Sequence, residues 1–118
     1  DKIDGVIVAA PDHIHAVAAR LYPGLQAIFD KHRINARVQG LGARFGIYFG
    51  LNEEVHSYDQ VQRHDRGQML RFIAAAIAHG VYFHDYGGVA CHHGFCGAMS
   101  EGDAEEALMR LELAVGAL

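Results

Sequence analysis

Phe45, Ile47 and Phe49 alternate with Arg44, Gly46 and Tyr48, so the two faces of this short run differ in character. Arg37-Val38-Gln39 lies just upstream, and Gly40-Leu41-Gly42 between them supplies residues suited to a tight turn. The pattern predicts a β-hairpin over residues 36–50 with one apolar face toward a covering layer. Everything else in the chain must be compatible with that hairpin.

Helices are the natural cover. Ile14, Val17, Leu21, Leu25 and Ile28 recur at steps of three and four, which predicts an amphipathic helix from about His13 to His32. Asp12 is its expected N-cap, and Pro23-Gly24 is expected to kink or split it. Residues 52–63 read as a polar, irregular connection. Asp65 with Gln68 predicts a capped helix start, followed by the apolar stripe Met69, Phe72, Ile73, Ala76 and Ile77 and a left-handed stop at Gly80. Val81-Tyr82-Phe83 reads as a short strand, Tyr86 to Ala90 as a glycine-bearing loop, and Gly94 to Ala98 as another strand. Ser100 with Asp103 opens a last helix, with Ala104, Ala107, Leu108, Leu111, Ala114 and Leu118 on one side. The order α-β-β-α-β-β-α predicts an α+β, two-layer domain: a mainly antiparallel sheet of three to four strands covered on one face by about three helices.

Composition narrows the function classes. The 118 residues are expected to form one domain, and 51% hydrophobic with 20% charged residues describes an ordinary globular chain. A net charge of −4 argues against nucleic-acid binding, which needs a basic surface to displace counterions. The acid is concentrated late: residues 51–118 hold ten acidic side chains against four arginines. No apolar run approaches the ~18 residues of a membrane span, and Ile3 to Pro11 lacks the flanks of a signal peptide. Two cysteines five positions apart, Cys91 and Cys96, are expected to be free thiols in a reducing, cytoplasmic setting.

Three runs together carry a family resemblance: Gln39-Gly40-Leu41-Gly42-Ala43-Arg44-Phe45-Gly46, then Gly80 to Phe83, then His92-His93-Gly94-Phe95 leading into Ser100-Glu101-Gly102-Asp103. In this order and spacing the chain resembles the C-terminal small domain of class III, pyridoxal-phosphate-dependent aminotransferases, nearest the glutamate-1-semialdehyde aminomutase branch. The resemblance runs from about His15 to Leu118 and leaves residues 1–12 uncovered. It implies a transferase or isomerase setting in which this domain closes over one edge of an active site. The lysine that carries the cofactor, and the phosphate contacts, are implied to lie on a large domain. Two departures bear on substrate choice. His92 stands where aminomutases of this branch place a glutamate, and no Arg or Lys occurs between Arg71 and Arg110 to hold a substrate carboxylate.

A covalent cofactor needs a lysine desolvated in a pocket so that its amine can attack. The chain has only Lys2, near one end, and Lys31, in the polar run Asp30-Lys31-His32-Arg33. Neither is a credible anchor. The expectation is therefore a domain with no catalytic and no cofactor-binding residue of its own, catalytically silent alone. Pyridoxal phosphate is expected only in complete family members. His84, Asp85, His92 and His93 are the residues expected to face substrate once a large domain is joined.

Other chemistries were weighed on the same residues. Nine histidines, with Cys91, His92 and Cys96 close together, invite a metal site. The cysteine spacing lacks a second Cys/His pair in a zinc-finger arrangement, and neighbouring residues on a strand point to opposite faces. Metal binding by Cys91, His92 and Cys96 is the lesser alternative. A free-standing binding module that has lost the ancestral chemistry is the main one. His13 and His15 do not share a helix face, and Cys91 has no evident orienting group for nucleophilic catalysis. Asp103, Glu105 and Glu106 complement the dipole of the last helix. The expected partner is a second copy of the chain in a two-fold dimer, or a separate large-domain chain, with neither nucleic acid nor membrane. The rival to the dimer is a monomer in which Ile3 to Ala10 folds back as an added strand.

Overall fold

The computed structural model describes residues 2–85, 87–91 and 93–118, with side chains from residue 12 onward. The order of elements is α1 (Lys2–Lys31), β1 (Ala36–Leu41), β2 (Arg44–Phe49), α2 (Tyr58–Val61), α3 (Arg66–Ala78), β3 (His93–Gly94) and α4 (Glu101–Gly116). The described strands form one antiparallel sheet in the order β1-β2-β3. Helices α1, α3 and α4 cover one face of it, which is the α+β two-layer arrangement the sequence predicts.

The hairpin forms as its alternation requires. Ala36, Val38, Phe45, Ile47 and Phe49 are buried toward the helices, while Arg44 is exposed and Tyr48 half-buried on the other side. The turn is one position later than predicted. Leu41 pairs with Arg44, leaving Gly42-Ala43 as a two-residue turn with positive φ at Gly42 alone, the pattern of a type II′ hairpin. Phe29 of α1, Phe49 of β2 and Phe72 of α3 meet with ring centroids 5.4–5.6 Å apart, one aromatic from each of three elements. Edge-to-face and tilted contacts of this kind add to the burial that holds the layers together.

The helix starts of α3 and α4 are where local chemistry puts them. Asp65 caps α3 by accepting the Gln68 amide, and Ser100 and Asp103 form a reciprocal capping box on α4. Gly80 ends the α3 region at φ 86°. Ile77 and Leu118, assigned above to the apolar stripes, are about half exposed (49% and 47%), and Val115 takes part in the core instead.

Four expectations need correction. Helix α1 begins at Lys2, so Asp12 lies within it rather than capping it, and residues 3–10 are helical rather than a fold-back strand. The same helix continues through Pro23 without splitting: Pro23 is exposed, and burial of Leu21 and Leu25 on either side outweighs one missing hydrogen bond. Residues 52–63 contain α2, opened by a Ser57–Gln60 capping box, and anchor the connection through buried Leu51 and Val55. Val81–Phe83 is not a strand, and β3 is only His93–Gly94 rather than Gly94 to Ala98. The place beside Arg44 and Phe45 on β2 is taken by β3, and Phe83 packs its ring against Phe45 and Phe72 instead.

Helices α1 and α4 are also joined by charge. Arg20 pairs with Glu105, and Glu112 accepts from Lys31 at 2.6 Å and contacts His32 at 3.0 Å. No described helix is long and apolar enough to cross a membrane.

Candidate functional site

The segment after α3 carries the residues expected to face substrate. Released from the helix by Gly80, residues 81–85 carry Phe83 against Phe45 and Phe72, and β3 then pairs beside Arg44 and Phe45. This brings His84 and His93 to one concavity of about 200 Å³, lined also by Tyr82, Phe83 and Gly94. His93 is 4% exposed, and its ring lies 5.3 Å from Phe83 and 5.5 Å from Phe45. His84 is exposed, with Nδ1 3.1 Å from the Tyr82 hydroxyl.

Asp85 does not line this concavity. It turns to its own loop and accepts the Gly87 amide at 2.7 Å, an Asx-type contact that shapes the glycine turn. His92 lies outside the described residues. The walls present imidazole, phenol and phenyl groups, with no Arg or Lys among the lining residues. The chemistry they offer is hydrogen bonding and aromatic contact rather than a fixed positive charge.

Cys91 sits on the opposite side of the sheet, half-buried in a hollow of about 300 Å³ with Gln39, Arg44, Gly46 and Tyr48. Burial, and secondarily negative charge on the neighbouring Cys91, push the Tyr48 phenol up in pKa. Cys96 is exposed and is not a lining residue of that hollow. Among the described residues no three His, Cys, Asp or Glu side chains are grouped to hold a metal ion. The trio Cys91, His92 and Cys96 includes a residue outside that description.

His13 also proves to be placed rather than merely exposed: its Nε2 lies 2.6 Å from the Met99 carbonyl, joining α1 to the start of α4. His64 is the polar residue that sequence reasoning missed. It is buried between β2 and the glycine loop, with Nδ1 accepting the Phe49 amide at 2.9 Å and Nε2 2.9 Å from the Gly88 carbonyl. Its sequence signal is slight, a histidine directly before the capping Asp65.

Lys31 does not meet the requirement for a cofactor anchor. The Lys31 side chain is 69% exposed and paired with Glu112, the reverse of an amine desolvated in a pocket. The side chain of Lys2 lies outside the described residues. The described residues do not fit covalent attachment of pyridoxal phosphate.

No protein-family model matches the chain. Solved structures do. An omega-transaminase from Sphaerobacter thermophilus overlays 92% of this chain with a TM-score of 0.70 at 16% identity. A transaminase with PLP bound does so over 92% at 0.71 and 16%, and the FumI protein of Sphingopyxis sp. MTA144, in its PLP internal aldimine form, over 90% at 0.66 and 24%. The chain has a transaminase-like fold. It spans 24%, 23% and 22% of those three chains respectively, so the likeness concerns one part of each.

Proposed function

We propose that this stretch is the small C-terminal domain of a class III aminotransferase-like protein, of the aminomutase-like branch, and forms one edge of an active site completed by a large domain. The overlay of nine-tenths of the chain on about a quarter of several transaminases supports this reading most directly. The runs Gln39 to Gly46 and His92 to Phe95 support the finer assignment.

In this reading the domain supplies shape and hydrogen bonding, and the cofactor's lysine comes from elsewhere. Pyridoxal phosphate, bound by the large domain, supplies the electron sink for chemistry at the substrate amine carbon. The wall of Tyr82, Phe83, His84 and His93 faces the substrate's far end, and Asp85 and His92 are the further candidates for substrate contact. Lacking a guanidinium, it favours a neutral or aromatic end group over a carboxylate, which would enter unpaired. By itself the domain is catalytically silent and works in a reducing, cytoplasmic setting.

A chimera tests this. Residues 13–118 replace the matched part of the Sphaerobacter thermophilus omega-transaminase, and the product is examined for cofactor absorbance and turnover of amines with and without a carboxylate. The expected chimera folds, retains the cofactor and prefers the substrate without the carboxylate. A folded chimera that has lost its cofactor counts against the assignment, and a carboxylate preference counts against the proposed role of the histidine wall.

A further inference from the structure

The edge of β2 turned away from β1 is closed by three different devices in succession. At Arg44 and Phe45 it pairs with β3. At Ile47 the amide donates to the carbonyl of Ala90, a loop residue, at 2.8 Å. At Phe49, where no backbone partner is left for the amide, the acceptor is Nδ1 of His64 at 2.9 Å. An unpaired amide at a buried edge costs about as much as a lost hydrogen bond, so the imidazole completes the sheet in place of a strand. Asp65 reinforces the junction by donating its amide to the Phe49 carbonyl at 2.9 Å.

The donors fix the protonation of the ring. Nδ1 accepts, so it carries a lone pair, and Nε2 carries the hydrogen and donates to the Gly88 carbonyl at 2.9 Å. His64 thus ties the loop 87–91 to β2 only as the neutral Nε2–H tautomer. A proton on Nδ1 would set N–H against N–H at Phe49. The ring would then leave that position, taking its hold on Gly88 with it.

Asp65 and Arg66, at the start of α3, oppose one another, the first favouring and the second disfavouring a charged imidazole. Tyr48 of β2 lies edge-on at 6.3 Å, Phe49 is tilted at 6.2 Å, and Cys91 of the loop shares a hollow with Tyr48. The Asp65 carboxylate is already committed to the Gln68 amide. Burial is the largest influence and favours the neutral ring.

We propose that His64 is a pH-operated latch that holds the loop 87–91, and through it the approach to β3 and His93, against β2 at neutral pH and frees it on acidification. This goes beyond the reading above and does not depend on it. The geometry gives the latch two readouts. The Phe49 amide reports the imidazole bond itself, and the Ile47 amide reports whether the Ala90 carbonyl, two residues past Gly88, stays in place.

The test uses the full chain labelled with ¹⁵N. Long-range proton–nitrogen correlation at about pH 7.5 identifies the His64 tautomer, and amide exchange, expressed as protection factors, is followed down to about pH 5, through the range in which histidine charges. The neutral ring is expected to be Nε2–H, and protection at Phe49 and Ile47 is expected to fall together by roughly tenfold, while Leu111 in α4 keeps its protection. A neutral Nδ1–H ring overturns the proposal. So does loss of protection at Phe49 alone, or at neither amide. In His64→Asn the side-chain oxygen can take the Nδ1 position but the amide cannot reach Gly88. Ile47 is then expected to be poorly protected at every pH while Phe49 is not. Wild-type protection of Ile47 in that variant overturns the latch, and if the variant does not fold the wild-type measurements decide alone.

Discussion

Gly88 presses its α-carbon against the backbone of Arg66: a β-carbon there would lie 2.6 Å from the Arg66 carbonyl oxygen. Its φ of 78° is a left-handed value that side chains disfavour. Strain and contact act together, because the obstructing atom belongs to the first turn of α3 and not to a flexible side chain. Gly88→Ala is expected to destabilise the chain by about 2 kcal/mol or more, read as a lowered urea midpoint at unchanged slope. Gly97 supplies the control: it has no positive φ, and its β-carbon would meet nothing within 4 Å, so Gly97→Ala should be near neutral. Equal effects at the two sites would contradict this account.

Stability should fall on mild acidification, and the sign follows from His64. Its pKa is lowered in the fold from the ordinary 6.5, mainly by burial. The unfolded chain therefore binds more protons between the folded value and 6.5. The contribution is fully present above that window and is lost as pH falls through it. Urea midpoints measured at about pH 7.5 and pH 5.5 should differ more in wild type than in His64→Asn, whose side chain does not titrate. A wild-type midpoint that rises on acidification would reverse the assignment.

Ser100 and Asp103 provide a separate, local test. Ser100 accepts the Asp103 amide at 3.0 Å, and Asp103 accepts the Ser100 amide at 2.8 Å. The Ser100 amide first, and the Ser100 side chain second, hold the Asp103 carboxyl below its usual pKa. Ser100→Ala is expected to cost about 1 kcal/mol. Because the two side chains act as one device, the double variant with Asp103→Ala should lose less than the sum of the single losses. Additive losses would mean that the two caps act independently.

Much of this fold is written in local chemistry. The caps at Asp65 and Ser100 depend on residues three positions apart, and the alternation of Phe45, Ile47 and Phe49 depends on the pleat, so both are visible in the sequence. What was missed depends on distant partners. Val81-Tyr82-Phe83 has the composition of a strand, but the neighbouring edge of β2 is occupied by His93–Gly94 and the loop, which no local pattern reveals. Pro23 has the chemistry of a helix breaker, yet its helix is held on both sides by Leu21 and Leu25 packing into the core.

The candidate site divides in the same way. That His84 and His93 belong to one region followed from the resemblance of the flanking runs. Asp85 is engaged locally by the Gly87 amide, a contact two residues long that composition alone does not reveal. His64 was invisible for the opposite reason: both its partners, Phe49 and Gly88, are far from it in sequence.

Pyridoxal phosphate should leave no stoichiometric covalent mark on this chain. Lys31 is solvated and ion-paired with Glu112, whereas a cofactor anchor needs an amine desolvated in a pocket. Incubation with the cofactor, borohydride reduction and intact-mass measurement are expected to show at most scattered, substoichiometric labelling. One full adduct per chain, mapped to Lys31, would overturn the assignment of the anchoring lysine to another domain.

The last expectation is self-association through a two-fold contact. Helix α1 is 30 residues long, and at ~1.5 Å per residue its length is close to the 47 Å longest dimension of the molecule, so it determines that dimension. Its apolar start, Ile3 to Ala10, follows the helix and does not form the shielding strand a monomer would have used. On α4, Met109 and Leu113 are exposed one turn apart (60% and 59%), and Ile77 of the adjoining α3 is also open to solvent. The Met109–Leu113 pair marks a surface suited to being covered, and a two-fold arrangement covers it on both copies with one self-complementary contact. Light scattering at concentrations well above micromolar is expected to give twice the chain mass, and Met109→Lys with Leu113→Lys is expected to shift it toward one. A single-chain mass for the wild type would sink the dimer. A dimer unaffected by the paired substitution would move the contact to another surface.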